Sequence, residues 1–116
     1  MLLKNEYKFM LLDILSTMNI DAEVWAYGSR VSGNAHDGSD LDIVIVPPDR
    51  KKIPIDVLIN LKEQIRESNI PIIVELFDWA RLPESFHENI LANYEVLCQT
   101  NQNVLNDPKN DYKNQE

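Results

Sequence analysis

Gly28-Ser29-Arg30-Val31-Ser32-Gly33, followed by Ser39-Asp40-Leu41-Asp42-Ile43-Val44-Ile45-Val46, decides how this 116-residue chain is read. The first piece opens a loop over residues 28–39 that holds all three glycines together with Ser, Asn and Asp, with room for one short helical turn. The second is a run of strand-forming residues closed by Pro47-Pro48. Asp40 and Asp42 stand two apart at the start of that strand. Period-two geometry turns both carboxylates to one face and Leu41 to the other. Paired carboxylates repel, so the arrangement is costly unless a cation sits between them, and hard oxygen donors suit magnesium. An isolated D-x-D is usually a solvated pair. The apolar strand that places this one at the edge of a core, and the glycine loop before it, favour a site.

The loop adds phosphate chemistry. Gly28 lets main chain approach a ligand closely, N–H groups at a helix start favour phosphate oxygens, and the Ser29 hydroxyl adds a donor. Arg30 supplies positive charge nearby. By themselves Gly28-Ser29 would be a turn with a helix cap. The loop is neither a P-loop nor a dinucleotide fingerprint: no Gly-Lys-Ser/Thr follows and the glycines are wrongly spaced, which also sets aside a kinase.

Working outward, residues 4–18 carry Tyr7, Met10, Leu11, Ile14, Leu15 and Met18 at helical spacing opposite Lys4, Glu6, Lys8 and Asp13. Glu23–Tyr27 predicts a strand that Gly28 stops. Ile55, Leu58, Ile59 and Ile65 predict a helix over 55–67, Ile72–Phe77 a third strand, and Pro83 a last helix carrying Phe86, Ile90 and Leu91. Tyr94–Leu97 adds a short closing strand. The pattern is an α/β (α+β) domain over residues 1–98, a small mixed sheet with helices packed on it. Residues 99–116, rich in Asn, Gln, Lys and Asp, are expected to form a disordered polar tail.

The charge balance, 11 Lys plus Arg against 19 Asp plus Glu, is 11 − 19 = −8. That argues against a protein that lives on DNA phosphates or anionic lipid. The lone Cys98 makes no internal disulfide, Lys4 and Glu6 interrupt any signal-like N-terminus, and the longest stretch free of charged residues, Val96–Asn106, is polar. The expected location is cytoplasmic, with no membrane span.

G-S-R-V-S-G followed by S-D-L-D-I resembles the G-S…D-x-D signature of nucleotidyltransferases of the DNA polymerase β superfamily. Over roughly residues 5–97, with Val74–Trp79 included, the chain resembles the minimal nucleotidyltransferases of bacteria and archaea. The resemblance implies that Gly28 and Ser29, with Arg30 and Ser39 beside them, bind the nucleotide. It implies that Asp40, Asp42 and a third carboxylate hold two Mg2+ ions and form the catalytic set. Glu75, inside the third strand between Val74 and Leu76, matches that third position, where the family commonly has Asp; Asp78 competes for it. Ser32 stands where many relatives carry a second Arg.

The implied reaction is attack of an acceptor hydroxyl on the α-phosphate of ATP or another nucleoside triphosphate, with release of pyrophosphate and with Glu75 helping to deprotonate the hydroxyl. Larger relatives add a helical domain, which this chain is too short to hold. The resemblance implies completion by a second copy in a homodimer or by a helical HEPN-type partner, as in toxin–antitoxin pairs where the nucleotidyltransferase adds AMP to its partner. The alternative is a catalytically weak antitoxin that masks its partner, which Glu75 and Ser32 keep open.

The remaining chemistry-bearing residues carry structural expectations. Trp25, Tyr27, Phe77 and Trp79 are mostly core, with a partner-facing Trp79 as the minority reading. His36 is solvent-facing, His87 carries no signal, Cys98 is a buried or half-exposed thiol, and Arg50-Lys51-Lys52 is a solvated turn.

Overall fold

Ala22–Tyr27 (β1) and Leu41–Val46 (β2), the two apolar runs that flank the glycine loop, pair antiparallel at the centre of a four-stranded sheet. The computed structural model describes residues 1, 3–33 and 39–100. Before β1 comes helix α1 (Asn5–Leu15), which tightens into a 3-10 turn at Ser16–Met18. The single turn α2 (Ser29–Ser32) follows β1. Helix α3 (Ile55–Arg66), strand β3 (Val74–Asp78), a 3-10 turn at Trp79–Arg81, helix α4 (Glu84–Ala92) and strand β4 (Tyr94–Thr100) complete the order. The strands lie β3-β2-β1-β4, with β2 and β3 parallel and the other neighbours antiparallel. The mixed sheet carrying helices is the architecture expected from the sequence.

Paired residues share a face. On one face Val24, Ala26, Ile43, Ile45, Leu41 and Leu76 meet Leu11 and Leu15 of α1 and Leu58, Leu61 and Ile65 of α3 in the main core. On the other, Trp25, Val44 and Val46 meet Trp79 and Ile90 in a smaller cluster. This second cluster covers only the far half of its face, and the half near Gly28 holds the polar residues of the motif.

Several boundaries and faces differ from the periodicity. The first helix stops at Leu15 because Ser16 and Thr17 turn their hydroxyls onto the Asp13 and Ile14 carbonyls, at 2.6 and 2.7 Å, and Asn19 takes a left-handed φ of 56°. In α3 the buried stripe is Leu58, Leu61 and Ile65, whereas Ile55 and Ile59 are each 51% exposed: the helix is rotated from the face that spacing alone suggested. In α4 only Ile90 is buried, and Phe86 and Leu91 face outward. β3 begins at Val74, two residues later than expected, although the Ile73 carbonyl already accepts the Leu41 N–H at 2.9 Å.

β4 runs to Thr100, past the expected strand end at Leu97. A register shift opposite Val24 and Trp25 accommodates Leu97, and the Thr100 hydroxyl donates to the Ile20 carbonyl at 2.6 Å. Gln99 and Thr100, expected in the disordered tail 99–116, are instead paired with Glu23 and Ala22 in β4, and residues 101–116 of that tail lie outside the described residues.

Candidate active site

Gly28 is the corner on which the site turns. Its φ of 84° and ψ of −157° belong to glycine alone, and a Cβ there would stand 2.9 Å from Asp42 Oδ2. The missing side chain therefore serves twice, permitting the turn and admitting the Asp42 carboxylate against main chain. Val31 and Ser32 close α2 by donating to the Gly28 carbonyl at 3.1 and 3.0 Å. Ser29 follows at the first position of that turn, half-buried.

Strand register supplies the next residues. Asp42 pairs with Tyr27 on one side and Glu75 on the other, so all three project from the same face. Asp42 is half-buried, while Asp40, one residue ahead of β2, and Glu75 are exposed. Burial raises the Asp42 carboxyl above the ordinary carboxylate range, and the neighbouring charges of Glu75 and Asp40 push it the same way. The Tyr27 phenol is raised too, by burial first, then Asp42, then Glu75. Tyr27, expected mainly as core, is thus a neutral hydroxyl at the carboxylates. Its place directly before Gly28 and opposite Asp42 was the available signal.

Among the described residues, no three acidic, histidine or cysteine side chains converge as a closed metal cluster. The donor set nonetheless fits magnesium, which is commonly held by one or two carboxylates with substrate phosphates and water supplying the rest. Half-buried Asp42 stands near the like charges of Glu75 and Asp40, an arrangement that a cation would relieve.

Asp78, the competitor of Glu75, points the other way. It pairs with Ile45 on the helix-covered side, is 1% exposed, and its Oδ2 accepts the Ile53 N–H and the Arg81 Nε–H, both at 3.0 Å. Three positions separate the two carboxylates, so period two puts them on opposite faces. The Asp78–Arg81 clasp, unforeseen from sequence, carries an i,i+3 signature.

Arg30 is buried, 4% exposed, and directs Nε–H and Nη2–H onto the Ser39 carbonyl at 2.8 and 2.6 Å. Ser39 thus enters through its main chain. Ser32 is exposed.

Trp79 is buried rather than turned to a partner: its ring lies flat on His87 at 3.8 Å between centroids, and the Trp79 carbonyl sits 2.7 Å from His87 Nε2. His87, without a signal in the sequence, locks the turn after β3 to α4. Trp25 is buried as expected, while Tyr27 and Phe77 are half-buried at the border of the carboxylates. Burial pushes the half-buried Cys98 thiol up to about 11, against a smaller opposite pull from Lys8. His36 lies outside the described residues. No helix among the described residues is long and apolar enough to cross a membrane.

The fold thus sets a glycine corner against Asp42 with a second strand's carboxylate in register beside it. The chain belongs to the Polymerase beta, Nucleotidyltransferase family, which it matches over residues 11–103. It is 38% identical over 104 residues to the probable protein adenylyltransferase MntA of Haemophilus influenzae, covering 88% of each chain. Its fold is also that of a toxin–antitoxin crystal structure with AMP-PNP, with a TM-score of 0.62 at 19% identity over 83% of this chain and 76% of the other. A mutant of the toxin–antitoxin complex MntA–HpeT, with two aspartates changed to glutamate, gives a TM-score of 0.60 at 18% identity over 88% and 77%. The protein is a minimal nucleotidyltransferase, with the fold and class its motif implied.

Proposed function

We propose that the protein is a magnesium-dependent adenylyltransferase that moves AMP from ATP to a hydroxyl of a partner protein, a HEPN-type toxin of a toxin–antitoxin pair. The carrying observation is the Gly28–Asp42 contact with Glu75 in register beside it. The identity to a probable protein adenylyltransferase supports AMP and a protein acceptor, and the toxin–antitoxin fold relatives support the partner.

In this reading Gly28 and Ser29 face the triphosphate, while Asp40 and Asp42 hold magnesium with Glu75 as the third carboxylate. The metal supplies charge neutralisation at the phosphates. Glu75, exposed on the edge strand, receives the acceptor's proton as the hydroxyl oxygen bonds to the α-phosphorus. The bond to the bridging oxygen of the β-phosphate breaks, and pyrophosphate leaves. The un-ionised Tyr27 phenol borders the carboxylates as a hydrogen-bond donor. The partner, or a second copy in a homodimer, closes the open half of the face.

A masking antitoxin with an idle site is the second reading, kept open by Glu75 where the family commonly has Asp and by the exposed Ser32 where many relatives carry Arg. Label transfer decides between them. Protein incubated with magnesium and ATP labelled at the α-phosphate, with and without extract of its source, should label one macromolecule, and Asp42→Asn should not. Partner protection that persists in Asp42→Asn, with no label from either protein, would establish masking instead.

A further inference from the structure

We propose that Arg30 is a positioning residue that sets Asp40 through the Ser39 carbonyl and does not itself touch the nucleotide. This inference rests on the nucleotidyl-transfer reading of Asp40 and Asp42. Position and sign of charge suggest a phosphate contact, and burial argues otherwise. The guanidinium is covered, and the cavity of about 440 Å3 that it borders, with Leu3, Tyr7 and Ile72, is lined by neither Asp42 nor Glu75.

Its reach is structural. Two N–H groups converge on one carbonyl nine residues away in sequence, tying α2 to the residue before Asp40. Because the peptide is planar, fixing the Ser39 oxygen fixes the plane that ends in the Asp40 nitrogen. Asp40 needs this support. The β2–β3 ladder begins one residue later, where the Leu41 N–H bonds Ile73, so strand pairing does not orient Asp40. Arg30 and Ser39 each have further interactions, which makes this bond one part of a larger set. A planar fork can hold both direction and distance, whereas a lysine ammonium is a single mobile point.

The test compares full-length wild type, Arg30→Lys and Arg30→Met by amide hydrogen exchange without metal, Mn2+ binding followed by electron paramagnetic resonance, and ATP binding without metal. In Arg30→Met, Leu41 exchange should rise at least tenfold while Val24 keeps wild-type protection. Mn2+ affinity should fall at least tenfold and metal-free ATP affinity should hold. Arg30→Lys should fall between, and it carries the comparison if the Met variant does not fold. Unchanged Leu41 exchange overturns the proposal, as does loss of metal-free ATP affinity with Mn2+ binding intact, which marks a phosphate contact. Exchange that rises equally at Val24 also overturns it, because that is general loosening. If wild type binds no Mn2+, the metal reading of Asp40 and Asp42 fails, and Leu41 exchange alone decides whether Arg30 orders this segment.

Discussion

The two faces of the sheet treat their carboxylates, buried Asp78 and half-buried Asp42, in opposite ways. On the helix-covered face Asp78 receives the Ile53 N–H and the Arg81 guanidinium, and so ties the end of β3 to the loop before α3. On the other face Asp42 meets two further negative charges and a glycine corner. A fold selected only for stability would neutralise both. The contrast teaches that one carboxylate holds the structure together, while the other stands among like charges at some cost, which is the cost the proposed cation and phosphates would offset.

The largest expected effect comes from neutralising the second. Asp42→Asn should lower transfer at least about 100-fold, the scale on which a preorganised electrostatic contact acts, in the label-transfer assay. The same variant should be more stable than wild type without divalent ions. Its sign follows from linkage: a folded-state carboxyl raised above its unfolded value contributes stability below the unfolded pKa and loses it as pH climbs through the folded one. The gap between the two urea curves should therefore open in favour of Asp42→Asn as pH rises past the ordinary carboxylate range. A gap that closes with rising pH would show that Asp42 is stabilised where it stands.

Asp78→Ala should do the reverse. It strands a partly exposed guanidinium and a buried N–H, at a cost of about 3 kcal/mol, with transfer per folded molecule unchanged. Urea denaturation together with the label-transfer rate checks both halves. Equal loss of activity in folded protein would mean that the two faces are not separable.

Gly28→Ala tests the corner between them. The backbone conformation costs an alanine about 1–3 kcal/mol, and the new Cβ meets Asp42 Oδ2. Transfer should drop with ATP affinity, and the stability loss should shrink in Gly28→Ala/Asp42→Ala, where the obstructing carboxylate is gone. Strict additivity would assign the whole effect to φ.

The Asp42 side of this contrast was legible in the sequence, because it depends on parity and glycine, whereas the Asp78 clasp was not. D-x-D at a strand start, G-S before it and Glu75 flanked by apolar neighbours are local patterns, and strand pairing preserves them. Asp78 against Glu75 was open only because the limits of β3 were uncertain; once both lie in one strand, three positions apart means opposite faces. Arg30, His87 and Arg81 were opaque for another reason. Their roles lie in large part in bonds to the main chain of Ser39, Trp79 and Ile53, with Arg81 also holding Asp78, and a carbonyl carries no sequence identity.

Helix rotation was hidden in the same way, and it yields the smallest predicted effect. Ile55 and Ile59 continue the apolar pattern of α3, yet half of each surface is open. The helix sits instead on Leu58, Leu61 and Ile65, whose spacing matches the ridge that meets the sheet. Ile59→Ala should then cost no more than about 0.5 kcal/mol in urea denaturation, with Leu61→Ala, at a position 1% exposed, as the buried control. If Ile59→Ala leaves stability alone but weakens capture of the labelled acceptor, the exposed stripe belongs to the partner's surface. If it destabilises the isolated protein as Leu61→Ala does, α3 is packed through a different face, and the division between a closed side and an open side must be redrawn.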